Sequence, residues 1–236
     1  MSKLEKIIME YPYKMEKEFL QDKKLGPDII EINDKIYREQ KSLDRKFSWF
    51  LFGLTFIFFI PLIPVVFFSS EESLFTRIIF LLFWIGSSLA TGCYPFYALY
   101  KELILNRETG MISVPRLWSK KNLEIPFDEG YGFIRAVSST DGVFSFSLTF
   151  FQEGKRDTFG TIAESCFPID EYWAFVIWYM DKNRPLPPGT AFDPYRETDY
   201  QRRKAEGFPK PLYYSYVETP EATKTQQRTR WKIGGW

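Results

Sequence analysis

The chain contains no histidine. That absence removes the usual general base, the commonest metal ligand and the usual partner of a serine or cysteine nucleophile, so serine-hydrolase and Cys-His protease chemistry are excluded. Only two cysteines occur, Cys93 and Cys166. They supply neither zinc-ligand spacing nor a disulfide framework, and a reduced compartment is the simplest setting for Cys166. Charge of one sign is not in excess either: 31 Lys and Arg face 30 Asp and Glu, a net of +1. Nothing therefore suggests nucleic acid as a partner, and no acidic tail is present. No phosphate-cradling loop occurs, Gly130-Tyr131-Gly132 being an isolated turn, and no metal or cofactor is expected. No cleavable signal peptide is expected, because the first apolar run follows a long charged segment and suits a permanent anchor.

What is present is two apolar runs, 47–68 and 78–100, neither containing a charged residue. Each is long enough to cross a bilayer as a helix, since roughly 20 residues at about 1.5 Å each cover a hydrocarbon core of about 30 Å. The first run is built mainly from Phe, Leu, Ile and Val, which favour insertion by about 0.3–0.6 kcal/mol apiece near the centre of a span. Its Pro61 and Pro64 predict a kink. In the second run Gly86 and Ala90, and likewise Ser88 and Gly92, are spaced four apart. Such small residues permit close helix approach, either to the first span or to a second copy of the chain. Five basic residues precede the first run (Lys35, Arg38, Lys41, Arg45, Lys46), Arg77 lies between the runs, and five follow (Lys101, Arg107, Arg116, Lys120, Lys121). The excess on the flanks predicts both termini in the cytoplasm.

Residues 1–46 read as a polar cytoplasmic segment broken by Pro12, Gly26 and Pro27, with Ile29, Ile30, Ile32, Tyr37 and Leu43 spaced for an amphipathic helix over 28–46. From Glu102 the period becomes that of a sheet. Strands are expected at 102–105 and 111–115 around the turn Asn106 to Gly110, then at 122–126, 131–137, 143–151 and about 157–162. Over 143–151, Phe144, Phe146, Leu148 and Phe150 alternate with Ser145, Ser147 and Thr149, the pattern of a half-buried antiparallel strand. Ile169 to Lys182 reads as a helix with Asp170 and Glu171 in its first turn and a bulky apolar surface. The expected fold is therefore an α+β membrane protein. A two-helix transmembrane hairpin is followed by a small antiparallel β domain over 101–184, closed by a C-terminal helix. This order resembles the PH-like domains found on bacterial membrane proteins, a resemblance of pattern that carries no ligand residues.

The stretch 185–236 is Pro-rich and basic, and reads as an extended extension with a short helix near 198–206. Lys224, Arg228, Arg230 and Lys232, interleaved with Trp231 and followed by Trp236, suit acidic headgroups or an acidic protein surface; a disordered basic tail is the alternative. Arg196, Arg202, Arg203, Trp231 and Trp236 are the candidate partner-binding residues, because exposed Arg and Trp dominate interface energetics. The carboxylates Asp128 and Glu129, and Asp193 with Arg196 and Asp199, are the nearest approach to a catalytic group. Beside Pro and Gly they read as turn and cap residues, and no catalytic role is expected.

The strings Asn106-Arg107-Glu108-Thr109-Gly110, Arg184-Pro185-Leu186-Pro187-Pro188-Gly189, Phe192-Asp193-Pro194-Tyr195-Arg196 and Pro209-Lys210-Pro211-Leu212-Tyr213 resemble an uncharacterised family of two-span bacterial inner-membrane proteins. The resemblance covers most of the chain from the first span onward, leaving out the N-terminal segment and the last dozen residues. It implies an accessory or immunity protein associated with type VI secretion toxins, with no catalytic residue assigned. The expectation is a non-enzymatic inner-membrane protein that binds the bilayer and a protein toxin or secretion component. The alternative is a membrane-anchored adaptor that binds lipid headgroups or recruits a cytoplasmic partner.

Overall fold

The computed structural model describes residues 2–18, 29–40, 45–68, 73–98, 102–115, 122–138, 144–152, 159–164 and 168–236. Cys166, Gly154, the link 69–72 and the basic residues Lys41, Lys101, Arg116, Lys120 and Lys121 lie outside them. The molecule is mixed α+β and divides into two units, one formed by Met1–Gln40 with Glu102–Trp236 and the other by Lys41–Lys101.

The larger unit is built on two antiparallel sheets. Strands β1 (Ser2–Leu4) and β2 (Ile7–Ile8) are followed by β3 (Ile29–Ile32), β4 (Ile36–Gln40), β5 (Glu102–Asn106), β6 (Met111–Val114) and β7 (Leu123–Pro126). β3 to β7 form one five-stranded meander in sequence order. The second sheet has the order β1, β8 (Gly130–Ser138), β9 (Phe144–Gln152), β10 (Phe159–Glu164). Alternation in β4, β5 and β6 buries Tyr37, Leu103, Leu105, Ile112 and Val114. Phe127, in the turn between β7 and β8, stacks on Phe150 of β9 at 5.6 Å and so joins the two sheets in one core.

Helix α4 (Ile169–Met180) lies in that core; it follows α1 (Arg45–Phe59), α2 (Leu62–Phe68) and α3 (Leu74–Ala98) of the other unit in the chain. Every residue from Tyr172 to Met180 is buried, and a helix apolar on all sides needs cover on all sides. Trp173 lies over Gly132, where a Cβ would come within 3.1 Å of the indole, and Phe175 meets Tyr37 at 5.4 Å. The C-terminal stretch packs on α4 as well: Phe192 contacts Phe175 and Tyr179 at 6.3 and 5.9 Å, and Trp178 Nε1 donates to the Pro185 carbonyl at 2.7 Å.

A helix is expected over 28–46, but the described part of that stretch, 29–40, forms the β3–β4 hairpin. Asn33 decides this, because its Oδ1 accepts from the backbone N–H of Lys35 and Ile36 and closes an Asx turn inside the would-be helix. The β-branched isoleucines on either side suit strands. Arg38 then pairs with Glu102 at 2.7 Å across the β4–β5 ladder, and Arg107 is buried, so neither belongs to a free juxtamembrane cluster.

The C-terminal stretch is also folded: the short helix expected near 198–206 is present as Arg196–Ala205, but the rest is not the extended tail expected. A 3-10 turn at Thr190–Tyr195 leads into α5 (Arg196–Ala205), then β11 (Tyr214–Ser215), parallel to β2, and α6 (Lys224–Gly234). In β9 the expected half-burial fails, since Ser147 and Thr149 are buried together with Leu148 and Phe150. On their face Phe133 stands opposite Thr149, and Phe133, Phe151 and Tyr131 form an aromatic cluster.

The smaller unit is helical. α1 (Arg45–Phe59) and α2 (Leu62–Phe68) are bent by 41° at the break before Leu62, where Pro61 falls. α3 (Leu74–Ala98) contains Leu74–Cys93, the one described helix long and apolar enough alone to cross a membrane; the bent pair α1–α2 meets the same test only as a unit. α1 packs on α3 through Phe56 and Trp84 at 6.1 Å and through Phe59 and Phe80 at 5.6 Å. The small residues divide between two directions. Gly92 lies against Phe52, 3.0 Å from where its Cβ would be, whereas Gly86 has open space and Ala90 is exposed. The outer surface is apolar, with Phe50, Ile57, Phe58, Leu82, Phe83 and Leu89 exposed.

Candidate interaction surface

The arginines of the larger unit determine how its C-terminal stretch is held. Arg203 on α5 is 1% exposed. Its Nε donates to Asp199 Oδ2 at 2.8 Å, and its two terminal nitrogens donate to the two oxygens of Glu221 at 2.7 and 2.8 Å, a bidentate fork that only a guanidinium makes. Asp199 also accepts from Arg202 at 2.9 Å and Arg107 at 3.4 Å, and Glu221 from Arg230 at 3.2 Å. Arg107, at the β5–β6 turn, donates to the carbonyls of Tyr179 and Arg184 at 2.8 and 2.5 Å. Arg184 reaches Asp181 and Thr219, both at 3.0 Å, and the Tyr213 carbonyl. Burial pulls the proton affinities of Arg107, Arg184 and Arg230 below the usual guanidinium value. Burial acts on Arg203 in the same direction, but Glu221 and Asp199 outweigh it and leave the net shift upward. The network joins the β5–β6 turn, the end of α4, α5 and α6, and orders a stretch poor in aliphatic residues.

The expected partner-binding residues fall largely inside this architecture. Arg203 and Arg202 meet at Asp199, Arg202 also pairing with Glu206 at 2.9 Å. Arg196 clamps the Pro-rich turn, donating to Asp193 and to the carbonyls of Leu186, Pro187 and Gly189 between 2.9 and 3.1 Å. Trp236 Nε1 donates to the Phe208 carbonyl at 2.9 Å, and the Arg230 guanidinium lies 4.2 Å from its ring. Trp231 alone of the five is exposed, at 66%. Of the carboxylates expected as turn and cap groups, Asp128 and Asp193 make local contacts of that kind, whereas Asp199 is buried and accepts from three arginines. Asp128 accepts from the Glu129 N–H, Glu129 from Gln152, and Asp193 is separated in partners from the buried Asp199. Among the described residues no group of three His, Cys, Asp or Glu side chains suits a metal ion.

Among the described residues of the larger unit, two exposed surfaces stand out. On α6 the side chains of Lys224, Arg228, Trp231 and Lys232 are exposed. Around the β2–β11 pair, Met9, Tyr11, Leu212, Tyr214 and Tyr216 are exposed, the two tyrosine rings 5.1 Å apart. The one signal of this second surface in the sequence is the alternation of Tyr213, Ser215 and Val217 with Tyr214 and Tyr216 at the period of a strand. Compared with models of protein families, with curated proteins and with solved structures, the chain matches none.

Proposed function

We propose that the chain is a membrane-anchored, non-catalytic binding protein of the bacterial inner membrane, its helical unit crossing the bilayer twice and its PH-like larger unit lying in the cytoplasm. The observation that carries this is the pairing of β4 with β5, in which Gln40 stands opposite Glu102. The chain leaves for the helical unit and returns at the same end of one sheet. Residues on both sides of the insertion also share the core and the second sheet, where β1 pairs with β8. A single fold cannot be divided by a bilayer, so any insertion that crosses must cross an even number of times. α3 supplies one crossing, and the bent α1–α2 pair, with apolar side chains on its outer surface, supplies the other.

Within that role, the cytoplasmic unit neutralises a secreted antibacterial toxin, as the resemblance to accessory and immunity proteins implies. The exposed aromatic surface around Tyr214 and Tyr216 supports protein binding, since tyrosines clustered with other large exposed apolar side chains are the composition of interface centres. Co-expression with the product of a toxin reading frame adjoining the gene tests the role: the full chain restores growth and copurifies with the toxin. Protection unchanged by Tyr214→Ser/Tyr216→Ser would move the binding surface elsewhere, and no protection at all would remove the immunity role. Release of the intact chain from membranes by alkaline carbonate would remove the anchor. The second role, an adaptor that engages lipid headgroups, is favoured by the basic face of α6.

A further inference from the structure

α6 is a fixed helix rather than a loose tail. Thr223 and Gln226 close a reciprocal capping box at its start, and Gly235 takes the left-handed conformation at its end, φ 72°. Its inner face is held by Arg230, which donates to the Thr219 carbonyl at 2.9 Å and to Glu221, and by Gly234, where a Cβ would come within 2.7 Å of Phe208. The opposite face is defined by that fixation. At about 100° per residue, Trp231, Lys224, Arg228 and Lys232 fall within an arc of roughly 100°. All four are exposed. α6 contains no acidic residue, and among the described residues none of the three cations pairs with a carboxylate.

We propose that this face docks on an anionic bilayer surface. The inference deepens the anchored reading above and rests on it. Unpaired cations beside an exposed indole on a rigid face fit a negative surface by charge, and the open cleft that Lys224 and Arg228 border with Pro220, Thr223 and Gln227 lies along the same face. An exposed indole among lysines and arginine is the composition of the headgroup boundary, where the ring enters the apolar edge and the ammonium groups stay with phosphate. A helix already ordered by its inner face meets that surface without an ordering cost.

The test uses the full chain in lipid nanodiscs of acyl-brominated phosphatidylcholine, alone or mixed with phosphatidylglycerol, with tryptophan quenching as the signal. The contribution of Trp231 is the difference from Trp231→Phe, and that of the anchor is the difference from Trp84→Phe. Trp231 is quenched in phosphatidylglycerol discs and much less in neutral ones. The quenching is lost at high salt and in Lys224→Gln/Arg228→Gln/Lys232→Gln, and is kept in Arg228→Lys. Three basic contacts are worth about a hundredfold in binding equilibrium, so the loss is near complete. The circular dichroism melt of the triple variant stays close to the parent, because among the described residues none of the three side chains makes a hydrogen bond or ion pair. Trp231 unquenched in anionic discs, as with an acidic protein or a nucleic acid for partner, overturns the proposal, and so does quenching independent of headgroup charge. Trp84 unquenched in every disc sinks the anchor instead, and is read separately.

Discussion

The pairing of Gln40 with Glu102 makes the helical unit an insertion between neighbouring antiparallel strands. Replacing Lys41–Lys101 by Asn-Gly, the two-residue connection that suits the twist of an antiparallel hairpin, should therefore leave the larger unit intact. Shortening a flexible loop from about sixty residues to two is about five halvings at roughly 0.6 kcal/mol each, an upper limit of about 3 kcal/mol in favour of the folded state. The excised chain should be soluble without detergent, melt in one cooperative transition, and lose α-helical signal in proportion to α1, α2 and α3. The comparison chain is 102–236 alone, which lacks β1 to β4 and with them Tyr37 from the core and Glu39, whose carboxylate accepts from Tyr37 and Tyr172 at 3.0 and 2.7 Å. It should aggregate. An excised chain that aggregates as readily as 102–236, or that melts without cooperativity, would refute the claim that the two flanks form one unit.

Three further outcomes follow from named contacts. Arg203→Met leaves buried carboxylates underpaired and should cost about 3–5 kcal/mol, a fall of roughly 6–20 °C in Tm for a unit of this size. Arg202→Met, at 35% side-chain exposure, should cost about 1 kcal/mol or less; equal effects in thermal melts would contradict the buried network. Gly189→Ala should destabilise strongly, because Gly189 has φ 130° and a Cβ would lie 2.2 Å from the Met15 carbonyl oxygen. A melt within a degree or two of the parent would show that the N-terminal segment is not held there. Burial, with Glu39 adding to it, keeps the Tyr37 and Tyr172 hydroxyls well above their usual titration. A folded-state value raised above the unfolded one means that stability is whole below about pH 10 and falls above it, by about 1.4 kcal/mol per pH unit for each tyrosine. Tyr37→Phe/Tyr172→Phe should flatten that fall in denaturant titrations, and an unchanged slope would contradict it.

The elements legible in the sequence are those with local period and local pairing. β5 to β9 and α4 announce themselves through alternation, turn residues and an apolar helical run, and each of these strands pairs with a chain neighbour. The N-terminal strands are short, and two of them pair far along the chain, β1 with β8 and β2 with β11, so nothing nearby signals them. The isoleucines of 29–36 satisfy helical and strand spacing alike until Asn33 closes its turn. The C-terminal stretch hides its order for another reason. Besides Phe192 and Phe208, much of its hold is ionic, through Arg203, Glu221, Arg184 and Asp181, and such residues read as solvated when their partners are unknown. The same network explains why Arg203, chosen as an exposed anchor, is buried, while Trp231, chosen on the same ground, is free.

Sidedness is most directly measured by cysteine labelling in intact cells, with Cys93 and Cys166 replaced by serine. Single cysteines are placed at Ser73, at Glu10 and at Lys232. An impermeant maleimide should reach Ser73→Cys from outside the inner membrane, and should reach Glu10→Cys and Lys232→Cys only after the cells are permeabilised. Glu10→Cys and Lys232→Cys labelled from opposite sides would contradict an even number of crossings, and Ser73→Cys closed to the reagent until permeabilisation would contradict the crossing itself.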